Sequence, residues 1–351
     1  MDVTFFPRND YPNNIEICNH RLGKSMTYTE QSDTFRGGAE AITSYAESKG
    51  IKLGVFWGMS DSQEYAEIAK PLLENKKLWI DAYCHPTNSQ VSGTIITREV
   101  YEEERDDLWQ RIGDFFGIRP VAMSYNSGNT SYADYIIPDF LAGRNSGRNG
   151  GTPYGSGLGS PNNISYSTSY FKSKESTSRW YDDAKSDSSF SARLQQLELD
   201  VLTTKLNHGW YNNFTHWHNV ISDGNLQAYK DYLDLLATLN QNNDIYFAGY
   251  GEAVSYLVYR QIITKCVMYS PIYRSNSQLV IRLETNKGEL NVDTELLTVP
   301  ISVKFSTLNT PLENQSLICI DRNLVSLGNN EYIVEIPFDR FPIATINKVA
   351  N

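Results

Sequence analysis

The sequence predicts an α/β domain followed by a small all-β domain. Three observations carry this. From residue 25 to about 265, short apolar runs alternate with segments of helical spacing, the signature of parallel βα units and so of an α/β barrel or a doubly wound sheet. After about residue 270 the helical patterns stop, and β-rich runs separated by Asn, Gly and Pro take over. The length of 351 residues exceeds one typical domain, and 40% hydrophobic content can build a core.

The elements follow in order. Residues 1–25 are polar and turn-rich, and Ser25–Thr29 reads as a short strand. Over 36–49, Ala39, Ile42, Tyr45 and Ala46 recur at helical spacing, and Gly50 sits where a C-cap glycine belongs. Ile51–Trp57 reads as a strand, 61–75 as a helix and Leu78–Cys84 as a strand. Residues 97–116 predict an amphipathic helix whose acidic first half suits the helix dipole. Pro120–Tyr125 is another strand. Residues 143–191 break the pattern. They are rich in Gly, Ser, Asn and Tyr and read as a long surface loop, with Tyr154, Tyr166, Tyr170, Phe171, Trp180 and Tyr181 pointing to an ordered binding loop rather than a linker. A helix near 191–206, a strand bearing His216 and His218, a helix at 224–240, the strand Asp244–Ala248 and a last helix at 250–265 complete the domain. Leu279–Leu283, Thr298–Phe305, Leu317–Ile320 and Tyr332–Ile336 predict an antiparallel β-sandwich. The expected division is therefore 1–270 and 271–351.

Composition narrows the partners. A net charge of −10 argues against nucleic acid and anionic membrane surfaces, but not against a glycan. The 23 Tyr and 6 Trp can stack on sugar rings, although core filling is their commoner use. Cys18, Cys84, Cys266 and Cys319 are far apart with no CxxC pair, so buried thiols are expected rather than a zinc cluster or a disulfide framework. No run of about 18 apolar residues exists to span a membrane. The first residues lack a basic n-region followed by an apolar h-region, so no secretion signal is legible. Three origins stay open: a chain not exported by that route, one whose signal has been removed, or a piece of something larger. An extracellular, cell-surface or virion setting suits a glycan-directed chain.

The chemistry concentrates at three strand ends. Two of the five histidines, His216 and His218, flank Trp217. In an extended chain they share one face, with Trp217 on the other. Imidazole exchanges protons near neutral pH. Tyr28-Thr29-Glu30-Gln31-Ser32-Asp33 and Asp81-Ala82-Tyr83-Cys84-His85-Pro86 supply the other two ends. Asp and His together suit zinc or another divalent transition ion, and a metal with an open position activates water at neutral pH.

Together these segments resemble, in divergent form, the polysaccharide deacetylases of carbohydrate esterase family 4. The resemblance runs through residues 25–265, about two thirds of the chain. The family's Thr-Phe-Asp-Asp-Gly motif, followed by a helix, Lys-Gly-Ile-Lys and an apolar strand, is similar to Thr27–Asp33, Lys49-Gly50-Ile51-Lys52 and Leu53–Trp57. The paired aspartates are missing: Glu30 stands in place of the metal-binding Asp and Thr29 in place of the base, with Asp33 the nearest aspartate. The family's His-Ser/Thr-x-x-His resembles Asp81–His85 if Asp81 replaces the first His; a slipped alternative runs from His85 to Ser89. Arg119–Gly128, ending its strand in Tyr125, and Phe214–His218 resemble the groove-lining and histidine-acid motifs.

What the resemblance implies is a distorted (β/α) barrel with an appended β-sandwich. It also implies a divalent metal such as zinc and metal-assisted removal of acetyl groups from a carbohydrate polymer. Asp33, Asp81 and His85 would hold the metal, Glu30 would be the base, and His216 or His218 the acid. Tyr125, Trp57, Trp210 and Trp217 are candidate sugar platforms. Two alternatives accompany this reading. One is a non-catalytic carbohydrate-binding or structural module on the same fold, for example part of a surface or phage-tail assembly. The other is a glycoside hydrolase, whose two carboxylates, about 5–10 Å apart, would come from Glu30, Asp33, Asp81 and Glu252.

Overall fold

The computed structural model of the chain describes residues 8–86, 89, 94–145, 174–175, 178–179, 190–271, 277–286, 292–339 and 342–349. The chain divides into two compact units. One comprises Ser25–Leu257 with Asn291–Leu296; the other comprises Met1–Lys24, Val258–Leu290 and Leu297–Asn351.

The first unit is built on nine parallel strands: β1 (Met26–Asp33), β2 (Leu53–Trp57), β3 (Leu78–Cys84), β4 (Ala122–Tyr125), β5 (Ala142–Asn145), β6 (Lys174–Glu175), β7 (Ser178–Arg179), β8 (Trp210–Phe214) and β9 (Ile245–Ala248). Their order is β6-β5-β4-β3-β2-β1-β8-β7, with β9 also on β1. All eight residues of β1 are buried, as expected of a parallel strand covered on both faces. β8 runs along one of its sides, while β9 and then β2 share the other. The helices are α1 (Ala39–Ser48), α2 (Gln63–Glu74), α3 (Arg98–Phe116), α4 (Phe190–Leu206), α5 (Trp217–Ser222), α6 (Leu226–Leu239) and α7 (Tyr250–Ile262). Ser62 and Thr97 cap α2 and α3 by accepting the Tyr65 and Val100 N–H groups. Tyr101, Leu108, Ile112 and Phe116 form the buried stripe of α3. The alternation of strand and helix, the parallel pairing and the flanking helices match the predicted α/β class.

The sheet curls like a barrel. Arg144 on β5 reaches Asp33 on β1, with β4, β3 and β2 between them in the strand order, and also lies against Phe214 of β8. A flat sheet would hold these strands far apart, since neighbours are spaced by about 4.8 Å.

Several expected boundaries move. The first strand runs on to Asp33 rather than stopping at Thr29, because its polar residues are buried and find partners across the sheet. The histidine strand stops at Phe214, and His216 is the N-cap residue of α5. Asn219 and Val220 donate backbone N–H groups to the His216 carbonyl, and Ser32 Oγ accepts the Trp217 N–H. The segment 143–191 opens on a strand and includes β6 and β7. Tyr154, Tyr166, Tyr170, Phe171, Trp180 and Tyr181 lie outside the described residues. The last helix ends at Ile262 rather than 265 and leads directly into a strand, Ile263–Pro271, where the β-branched run Ile262-Ile263-Thr264 favours extended backbone.

The second unit holds two antiparallel sheets. One orders Arg8–Asp10, Ile263–Pro271, Gln278–Thr285, Ile343–Lys348 and Leu317–Cys319; the other orders Leu324–Gly328, Glu331–Ile336, Ile301–Ser306 and Ile15–Ile17. Leu279, Val280, Ile281 and Leu283 are buried while Arg282 is exposed, so one face of this strand is covered throughout and the other only at Val280. The appended β domain is thus present, but it also takes in the N-terminal strands that the expected 1–270 division assigned to the barrel.

Candidate functional site

Strand parity sorts the carboxylates of β1. Side chains alternate along a strand, so residues an odd number apart face opposite sides. Asp33 and Glu30, three apart, are separated in this way. Glu30 is fully buried, with Oε1 accepting the Tyr229 hydroxyl at 2.7 Å and Oε2 accepting the Tyr232 hydroxyl at 2.7 Å and Asn213 Nδ2. Burial pushes this carboxyl up, against the lowering effect of the tyrosine hydrogen bonds. A base must reach the reacting water; Glu30 instead anchors β1 to α6. The expectation that it is the base is corrected on that ground.

Asp33 faces the other way. Oδ1 accepts hydrogen bonds from Arg144 Nη2 and from Ser124 Oγ at 3.0 Å, and Oδ2 lies 3.7 Å from His216 Nε2. Arg144 is fully buried, its guanidinium carbon 4.1 Å from the ring centroid of Phe214 and 4.9 Å from that of Phe56. Burial pushes the Asp33 carboxyl up, but Arg144 and His216 outweigh it and hold it below the usual carboxylate range.

Asp33 opens on a cavity of about 400 Å³ at the C-terminal ends of the strands, where open and closed α/β sheets gather their ligands. Thr34 and Arg36 from the turn after β1, with Met59 and Ser60 after β2, line one part of it. Tyr83, His85 and Glu104 line another, and His216 and His218 the rest. The imidazole rings of His216 and His218 are 5.3 Å apart. Burial, then His216 and Arg36, lower the His218 value. Glu104 accepts the His85 N–H at 3.0 Å, and burial raises its carboxyl to about 7. Thr34, a β-branched residue, is held at φ 79°, a conformation that persists only where its surroundings impose it.

The remaining predicted residues lie elsewhere. Asp81 is buried, accepting the Ala122 N–H at 3.0 Å and the Gly251 N–H at 2.8 Å, and burial raises its carboxyl to about 7. It ties β3 to β4 and α7, which corrects its assignment as a metal ligand. Trp57, Tyr125, Trp210 and Trp217 are at most 2% exposed and do not line the cavity. Trp210 donates to Thr29 Oγ1 at 3.0 Å, and Trp217 to the Tyr229 hydroxyl at 3.1 Å. An aromatic ring must present a free face to stack on a sugar, so these four are core residues rather than platforms. Ser89, the end of the slipped motif, accepts Asn126 Nδ2 at 3.1 Å.

The donor set does not fit a divalent metal. Among the described residues no group of three His, Cys, Asp or Glu side chains is placed to hold one. Asp33 is already ion-paired, Asp81 is satisfied by backbone N–H groups, and His85 remains from the predicted triad. Sequence reading missed Arg144, Arg36, Tyr83 and Glu104. Arg144 carried no signal: it sits in the four-residue strand Ala-Gly-Arg-Asn, which opens the Gly- and Ser-rich stretch and reads as loop.

No family model matches the chain, and no curated protein matches it. Among solved structures it is similar to the Puue allantoinase (11% identity, 70% of this chain and 97% of that chain, TM-score 0.49). It is also similar to a family 4 acetyl xylan esterase from Clostridium thermocellum in complex with a cobalt ion (10% identity, 65% and 89%, TM-score 0.41). A third likeness is to a mutant of a CE4 family pseudoenzyme (13% identity, 70% and 69%, TM-score 0.40). The fold assignment rests on the strand order and parallel pairing.

Proposed function

We propose that this chain binds a carbohydrate in the Asp33–His216–His218 pocket of a deacetylase-type barrel and does not carry out metal-dependent deacetylation. One observation carries the second half: the Asp33 carboxylate is committed to the buried Arg144 guanidinium. A dication at Asp33 would sit beside a buried cation and take away its counter-charge, an arrangement that costs several kcal/mol, about 3–5 for a broken buried pair. The carbohydrate half is supported by the motif resemblance over residues 25–265 and by a cavity wall of imidazole, guanidinium, phenol and carboxyl groups, which match sugar hydroxyls as donors and acceptors.

The test combines three measurements on the purified full chain: elemental analysis, calorimetric titration with acetylated chito- and xylo-oligosaccharides, and acetate release with added zinc or cobalt or with chelator. The expected result is saturable binding, weakened about tenfold or more by His216→Ala, which corresponds to about 1.4 kcal/mol, with no stoichiometric metal and no acetate release. Metal-dependent acetate release would overturn the proposal. A second reading, acid–base hydrolysis without a metal, is favoured by the ionised Asp33 beside His216 and the lowered His218. Its mark is acetate release that chelator leaves untouched.

A further inference from the structure

We infer that the pocket takes an acidic sugar, with the carboxylate of the sugar seated against Arg36 and its hydroxyls on His216 and His218. This rests on the carbohydrate reading above and goes beyond it by naming the charge of the ligand.

The charges around the pocket point this way. The chain as a whole carries −10, yet the cavity wall sets one arginine and three histidines beside its two carboxylates, Asp33 and Glu104. The negative charge of Asp33 is matched by Arg144 directly behind it. Among the described lining residues Arg36 is the permanent cation, with its side chain 42% exposed. Two neighbours hold its guanidinium: Nη2 donates to Ser60 Oγ, which also lines the cavity, and Nε lies 3.8 Å from the buried Asp61 Oδ1. Asp61 is itself fixed by the Gly58 N–H at 2.8 Å. Burial raises the Asp61 and Glu104 carboxyls to about 7 each. A planar, partly exposed guanidinium suits a carboxylate better than a spherical ion.

The rest of the wall suits a sugar ring. Thr34 is 6% exposed, its Oγ1 is buried without a hydrogen-bond partner, and its backbone is strained at φ 79°. The cavity of about 400 Å³ falls within the range of small-ligand sites, about 300–1,000 Å³.

The experiment titrates the full chain with galacturonate-, glucuronate- and sialate-bearing trisaccharides, with their carboxyl-reduced neutral counterparts, and with inorganic phosphate. At low salt at least one acidic trisaccharide should bind about tenfold or more tighter than its neutral counterpart. That preference should shrink in roughly 0.5 M salt, where exposed charges are strongly screened. Arg36→Gln should abolish the preference and Arg36→Lys should keep part of it. Equal affinity for acidic and neutral sugars overturns the inference while leaving carbohydrate binding intact. Absence of binding by every sugar overturns both. Phosphate binding as tight as that of the acidic sugars overturns it in favour of a free oxyanion site. If Arg36→Gln does not fold, the salt dependence of the wild-type preference decides: a preference insensitive to salt overturns the role of Arg36.

Discussion

Removing the Arg144 guanidinium would leave Asp33 buried with an uncompensated charge. Arg144→Met is therefore expected to cost about 3–5 kcal/mol in urea unfolding at neutral pH. Asp33→Asn in the same chain should recover part of that loss, because the stranded charge is gone. The pH dependence should weaken as well. In the wild type the Asp33 value lies below its usual 3.8, so its contribution to stability is fully present above 3.8 and is lost as pH falls through the lowered value. Without Arg144 only His216 opposes burial, so the value rises and acidification should cost the variant less stability than it costs the wild type. A wild-type-like pH profile in Arg144→Met would refute the pairing. Asp33 was legible in the sequence as a strand-end carboxylate. Arg144 was not, because it lies 111 positions away and residue type alone gives no distance. The four aromatic residues were legible as large apolar groups, but whether such a ring is covered depends on neighbours that sequence does not state.

At the level of elements, the parity of β1 explains why Glu30 and Asp33 perform different tasks although they are close in sequence. His216 and His218 did reach the same pocket, and Trp217 is buried against Phe35 and Tyr229. The expected alternation of an extended strand was nevertheless the wrong cause, since the backbone turns into α5 at His216. A helix that starts at the end of a strand can also present two nearby residues to one cavity. The start of α7 is fixed by space rather than by backbone freedom. A Cβ on Gly251 would lie 2.2 Å from Asp81 Oδ1, and the Gly251 N–H bonds that same carboxylate. Gly251→Ala should cost about 2 kcal/mol through overpacking and a lengthened hydrogen bond, read as a lower thermal midpoint. An unchanged midpoint would mean that β3 and α7 are not clamped by Asp81.

For the molecule as a whole, chain order and structural unit do not coincide. Ile15 and Ile17 pair with Phe305 and Val303, so the antiparallel unit is assembled from both ends of the sequence. A chain beginning at Ser25 should lose amide protection across Ile301–Ser306 in hydrogen exchange, because that strand becomes an edge, while β1–β3 keep theirs. Full protection of Ile301–Ser306 in the shortened chain would refute the pairing. The alternation of strands and helices, the change to β grammar after about residue 270 and the strand ends bearing Asp33, His85, His216 and His218 were all determined by the sequence, because periodicity and strand-end composition are local properties. Tertiary structure alone decided that Glu30 and Asp81 turn inward, that residues near the N-terminus join the distant β unit, and that Asp33 meets the Arg144 guanidinium. Those outcomes depend on which strands pair and on how far the sheet curls, and both bring together residues whose separation in sequence carries no information about their distance.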